Sequence, residues 1–156
     1  MIKLKIPGNE TIQVEYLVLD YNGTLAVDGY ILKGVSERLN HLSKYLKIFV
    51  ITADTFGNAV ENLKDINCEC KLIRGLEQGK QKKDFVISLG ALNVLAIGNG
   101  ANDSLMLAEA ALGIVLIQEE GASAKSIINA DIVCKSILDA LDLMINPIRI
   151  SATLRN

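Results

Sequence analysis

A doubly wound α/β fold, Rossmann-like, with helices on both faces of a parallel sheet, is what this sequence predicts, and three observations predict it. Short apolar runs recur at residues 16–19, 48–52, 70–73, 94–97, 114–117 and 132–134. They are mostly unbroken rather than alternating, as strands buried on both faces require. Segments with the apolar spacing of helices lie between them, the pattern of βαβ units.

In chain order, residues 2–6 (IKLKI) and 11–15 (TIQVE) alternate polar and apolar around Pro7-Gly8-Asn9, which predicts an N-terminal β-hairpin over residues 1–15 added to the sheet. The run 16–19 is the first parallel strand. A second small hairpin is expected over 25–31, turning at Asp28-Gly29. A helix over 35–46 carries Leu39, Leu42 and Leu46 on one face. Further helices at 59–63, 82–89, 104–112 and 122–129 fill the gaps between strands. A helix over 136–145 closes the fold, because Asn146-Pro147 reads as a stop.

The 156 residues suit one domain spanning the chain, long enough for a real core. Half the residues are hydrophobic, yet no apolar run approaches the ~18–20 residues of a membrane span, and the first ten do not read as a signal peptide. A soluble cytoplasmic protein without a membrane partner is the expectation. Sixteen Lys and Arg against 18 Asp and Glu leave a charge of −2 and no basic field for nucleic acid. The absence of Trp and the few other aromatics disfavour base stacking. Cys68, Cys70 and Cys134 are an odd number in a chain expected to be intracellular, so a disulfide framework is not indicated, and with His41 the single histidine and no second Cys pair, a zinc site at Cys68-x-Cys70 lacks ligands. His41, among polar residues, reads as a surface side chain.

Ligands in open parallel sheets collect beyond the carboxyl ends of the strands. There the first strand ends in Asp20, followed by Asn22-Gly23-Thr24, and the second in Thr52, followed by Ala53-Asp54. Lys80, Lys82 and Lys83 open the helix before the fourth strand, which runs into Gly98-Asn99-Gly100-Ala101-Asn102-Asp103. This set suits phosphoryl transfer through an aspartyl-phosphate: Asp20 attacks phosphorus, Thr52 hydrogen-bonds a phosphoryl oxygen, and a lysine offsets the charge. Asp103 and Asp20, with Asn99 or a backbone carbonyl, would hold Mg²⁺ through hard oxygen ligands. Gly23 would turn the backbone and bring N–H groups to the phosphoryl oxygens. Asp54 is expected to cap the following helix. A dinucleotide fingerprint at Gly98-x-Gly100 fails because Asp103 stands at the third glycine position. A receiver domain fails because its acidic pair after the first strand is missing.

In order and spacing, "LVLDYNGTL", "VITAD", the lysine-opened helix and "AIGNGANDSLML" resemble the four signature motifs of the haloacid dehalogenase superfamily, over nearly the whole chain. "GNGANDSLML" is similar to the GDGxND segment of P-type ATPases, and the chain resembles the soluble P-type ATPase-like members. The resemblance implies an Mg²⁺-dependent aspartyl-phosphate mechanism, with Asp20, Asn22, Thr52 and Lys82 as the catalytic set. Gly23, Thr52, Ala53 and Lys82 would bind phosphate, and Asp20, Asn22, Asn99 and Asp103 would surround the metal. It also implies a flap hairpin, matching 25–31, and no large cap, since both insertion positions are bridged by short segments. In that superfamily an uncapped site goes with macromolecular substrates or with oligomers whose neighbouring subunit covers it, so the resemblance implies a phosphorylated macromolecule or a homo-oligomer, the latter with support from the apolar helix around Leu138, Leu141 and Met144.

Two residues depart from the pattern. Asn22 stands where superfamily phosphatases carry the acid/base Asp, and an amide neither donates nor takes up a proton near neutral pH. Asn99 stands where a metal-binding Asp is usual and brings one charge fewer. Of the lysines, Lys82 shares a helix face with Val86 and Leu89, which favours it, with Lys80 and Lys83 as alternatives. The sequence thus predicts a slow phosphatase acting on a small phosphorylated compound or macromolecule, with a degenerate or stably phosphorylated binding module as the second reading.

Overall fold

The computed structural model describes residues 1–8, 10–53 and 58–155. The chain opens with β1 (Ile2–Leu4), β2 (Ile12–Val14), β3 (Tyr16–Asp20), β4 (Ala26–Val27), β5 (Tyr30–Ile31) and α1 (Val35–Leu42). There follow β6 (Lys47–Thr52), α2 (Asn58–Asn62), β7 (Glu69–Leu72), α3 (Gln78–Ser88), β8 (Val94–Gly98) and α4 (Ser104–Glu109). The last part holds β9 (Leu112–Leu116), α5 (Ala124–Asn129), β10 (Ile132–Cys134), α6 (Ile137–Ile145) and α7 (Ile148–Leu154).

Six strands form one sheet in the order β10-β9-β8-β3-β6-β7, and every pair is parallel. The doubly wound fold is therefore present. Its central strands are apolar throughout because alternate residues feed two cores. Leu17, Leu19, Ile48, Val50, Leu95, Ile97 and Ile114 join a core that includes Leu39 and Leu42 of α1 and Leu141 of α6. Val18, Phe49, Ile51, Val94, Ala96 and Val115 point the other way, against Val86 of α3 and Met106 and Leu107 of α4. The winding reverses between β3 and β8, and the crevice at that switch point is where such sheets hold ligands.

The flap hairpin stands as expected. Asp28 and Gly29 have φ of 52° and 83°, the two left-handed residues of a tight hairpin turn. The Gly29 carbonyl accepts from the Tyr21 hydroxyl at 3.4 Å and from Asn62 Nδ2 at 2.9 Å, which ties the flap to α2.

Several boundaries differ from expectation. The N-terminal hairpin pairs as expected but forms its own two-stranded sheet rather than joining the large one. The helix expected over 35–46 ends at Leu42, and residues 43–46 return as turns that still bury Leu46. α3 begins at Gln78, four residues before the expected start, because its first turn is polar and carries no apolar signal. α4 stops at Glu109 and β9 starts at Leu112, where an unbroken apolar stretch masks the change of period. Pro147 does end α6, but it also opens α7, since a proline lacks only the N–H that a helix start leaves unpaired. The apolar face of α6 is no support for an oligomer: Leu141 and Met144 lie in the chain's own core, and Arg38 of α1 grips Asp142 across it at 2.7 and 3.1 Å. Asn9 and Asp54 lie outside the described residues. His41 is exposed and the cysteines are free, with burial pushing the Cys68 and Cys134 thiols up to about 11. No helix among the described residues is long and apolar enough to cross a membrane.

Candidate active site

At the carboxyl end of the sheet Asp20 closes β3, the central strand, and Thr52 closes β6 one residue past the partner of Asp20. Both are buried, at 8% and 2% exposure. Lys82, on the face of α3 that buries Val86, is 1% exposed and reaches back to the same place. Its ammonium lies 2.5 Å from Asp20 Oδ1 and 2.6 Å from Asp103 Oδ1. Lys80 is exposed, and Lys83 pairs instead with Glu109 at 3.1 Å.

Asp103 is fully buried, and its second oxygen accepts from the backbone N–H of Asn99 at 2.9 Å and of Gly100 at 2.8 Å. The tight turn after β8 permits this only because position 98 is glycine: a Cβ there would stand 2.5 Å from Asp103 Cγ. Thr24, which the sequence left without a role, donates its hydroxyl toward Asp20 Oδ2 at 3.3 Å and Asn99 Oδ1 at 3.4 Å. Asn99 in turn donates to the Gly121 carbonyl at 3.0 Å.

Burial, and secondarily the nearby charge of Asp103, raises the Asp20 carboxyl to about 7, against the opposing pull of Lys82. For Lys82 burial favours the neutral amine, but the two carboxylates outweigh it and shift the ammonium upward, so it stays charged.

Gly23 has φ of 76°, a turn that a side chain would strain. Its N–H is taken up within the loop, however. It bonds to the Ala26 carbonyl at 2.7 Å, while the N–H groups of Thr24, Leu25 and Ala26 all turn inward to Tyr21 O. Gly23 therefore shapes the loop without offering the phosphoryl donor expected of it. Asn22 is exposed beside the site and Ala53 is half-buried behind Thr52. Gln118, just beyond β9, donates to the carbonyls of both Gly23 and Thr24 at 2.8 Å and accepts from Ile137 N at 3.0 Å. No sequence pattern marks Gln118. Only its position after a strand end pointed toward it.

The oxygens of Asp20 and Asn99, which share the Thr24 hydroxyl, and those of the neighbouring backbone form a donor set that suits a hard dication such as Mg²⁺. Among the described residues no three carboxylate, imidazole or thiolate groups stand together as a ready-made metal cluster.

No protein-family model matches the chain. "Uncharacterized protein MJ0073" of Methanocaldococcus jannaschii is 54% identical over 63 residues, 40% of this chain and 68% of that protein. "Uncharacterized protein MJ0072" of the same organism is 49% identical over 39 residues, 25% of this chain and 89% of that protein. Among solved structures, the 3-deoxy-D-manno-octulosonate 8-phosphate phosphatase of Moraxella catarrhalis, in complex with magnesium, phosphate and KDO, superposes with a TM-score of 0.71 at 13% identity, covering 85% of this chain and 86% of that one. The cobalt-bound octulosonate 8-phosphate phosphatase of Haemophilus influenzae gives 0.72 at 12% identity, covering 92% and 94%. An apo phosphoserine phosphatase gives 0.62 at 15% identity, covering 85% and 100%. The chain thus belongs to one family with the two Methanocaldococcus proteins, on a fold shared with phosphatases of the haloacid dehalogenase superfamily.

Proposed function

We propose that the chain is a slow phosphatase that passes a phosphoryl group from a small phosphorylated compound, or from a macromolecule reaching an uncapped site, first to Asp20 and then to water. The observation that carries this reading is the buried Asp20–Lys82–Asp103 ion-paired triplet at the switch point of the sheet. The phosphatases that share the fold support it.

Lys82 holds Oδ1 of Asp20 and leaves Oδ2 as the nucleophilic oxygen. As the bond from Oδ2 to phosphorus forms, the phosphorus–oxygen bond to the leaving group breaks, and the leaving oxygen takes its proton from water because Asn22 has none to give. Thr52 and the backbone at Ala53 hold the phosphoryl oxygens, and Lys82 neutralises charge on them. Water then attacks phosphorus, phosphate departs, and the Asp20 carboxylate returns. This half-reaction is the slow one, since Asn22 cannot take the water's proton. Oxygens of Asp20 and Asn99 and the backbone carbonyl of Asn22 would hold Mg²⁺, which as a Lewis acid offsets the charge where two anions meet. Asp103, expected to bind the metal, has its oxygens committed to Lys82 and two N–H groups and instead orients the lysine.

Two amides at acid/base and metal positions favour one second reading, a module that is phosphorylated stably or not at all. Turnover of p-nitrophenyl phosphate and acetyl phosphate with Mg²⁺, with intact mass of the protein, separates the two. Turnover lost in Asp20→Asn and raised in Asn22→Asp supports the phosphatase. A lasting adduct of about 80 Da, the mass of an added phosphoryl group, without turnover supports the phosphorylated module. No adduct and no turnover in any of the three proteins removes the phosphatase reading.

A further inference from the structure

The triplet carries less negative charge than a divalent cation calls for. Asp20 and Asp103 bring two charges, Lys82 cancels one, and position 99 contributes a neutral amide. The loop between β9 and α5 brings another carboxylate to the site. A Cβ on Gly23 would lie 2.5 Å from Nδ2 and 2.7 Å from Oδ1 of Asn99, and 2.8 Å from Oε2 of Glu120. Glu120 and Asn99 therefore close over the same point of the nucleophile loop.

That loop is stitched in place on both sides. Gln118 bonds the carbonyls of Gly23 and Thr24, and the Gly121 N–H returns to Gln118 O at 2.7 Å. Asn99 Nδ2 bonds Gly121 O, and Ser123 N bonds Asn99 O at 2.8 Å. The bond to Gly121 also commits the amide nitrogen of Asn99 and leaves its oxygen to the Thr24 hydroxyl, which also reaches Asp20. Glu120 takes part in none of the ion pairs among the described residues, although it lies beside a site with a net negative charge. Such a carboxylate is favoured there when a cation joins it.

We propose that Glu120 is a cation-binding residue of this site, supplying from the β9–α5 loop the charge that Asn99 lacks. A divalent cation is then held by oxygens of Asp20, Asn99 and Glu120, directly or through water, with two net negative charges to balance it. The inference rests on the reading above only in taking this site to bind a metal.

The test is titration of the whole protein with Mn²⁺ alone, followed by calorimetry and by the electron paramagnetic resonance of free Mn²⁺, with thermal melts to check folding. Glu120→Gln weakens binding about 10- to 100-fold. Glu119→Gln, a neighbour facing the cleft lined by Leu32, Lys135 and Leu138, binds as wild type. Asn99→Asp tightens binding, and the Asn99→Asp/Glu120→Gln double variant returns toward wild type. Wild-type affinity in Glu120→Gln, with binding lost in Asp20→Asn, overturns the role of Glu120 and leaves the metal site standing. If wild type takes up no Mn²⁺, the metal site falls and the role of Glu120 with it.

Discussion

Lys82 and Asp20 are 62 residues apart in the chain, yet the lysine ammonium lies 2.5 Å from the carboxylate, with both side chains out of water. Neither charge would survive burial alone, and the second carboxylate, Asp103, makes the lysine the hub on which both acids depend.

Removing that hub strands two like charges. Lys82→Met is expected to cost ~3–5 kcal/mol of stability, the usual result of breaking a buried pair from one side. Urea unfolding reads this directly. A loss under ~1 kcal/mol would show that water already reaches the acids.

Asp20 sets a pH dependence of the opposite kind. Its folded pKa stands above its unfolded value, raised from 3.8 to about 7. The folded state therefore binds the proton more tightly, and this contribution to stability, whole below 3.8, is lost as pH rises through about 7. Asp20→Asn removes the dependence, so its melting temperature should exceed wild type at pH 8, on the order of a few degrees, with the gap narrowing toward pH 4. A constant gap across that range would mean that Asp20 titrates normally.

Restoring a carboxylic acid beside the nucleophile should speed dephosphorylation. Asn22→Asp is expected to raise the decay rate of the phospho-enzyme ~10²–10⁴-fold, the usual worth of general acid–base help. Single-turnover decay of an adduct formed from acetyl phosphate measures it. An unchanged decay rate would place the slow step elsewhere.

Gln118 clamps the nucleophile loop to α6 with one side chain. Gln118→Glu keeps the acceptor for Ile137 N–H but turns a carboxylate on two carbonyls, whereas Gln118→Leu removes every bond. Losses on the order of 1–3 kcal/mol are expected in each. Hydrogen exchange should show the 21–27 loop loosened in both variants and Ile137 exposed only in the leucine variant.

Much of this molecule was legible in one dimension. Continuous apolar runs gave the six sheet strands, Asp28-Gly29 gave the flap turn, and the four-residue spacing from Lys82 to Val86 picked out the lysine that enters the site. The edges were less legible. The start of β9 hid in an apolar stretch and α7 behind a proline that both ends and starts helices, because a local signal for a boundary does not say on which side the next element lies.

By itself, then, the sequence determined the parallel sheet and which acids, hydroxyl and lysine stand at its carboxyl end, since periodicity and strand ends are local properties of the chain. Only the tertiary structure decided how those groups share their bonds: that the oxygens of Asp103 go to Lys82 and two N–H groups, that Thr24 bridges Asp20 and Asn99, and that Gln118 and Glu120 close on Gly23. The reason is physical. A hydrogen bond or ion pair is set by ångström-scale distances between segments as many as 104 residues apart, and those distances exist only once the core has packed.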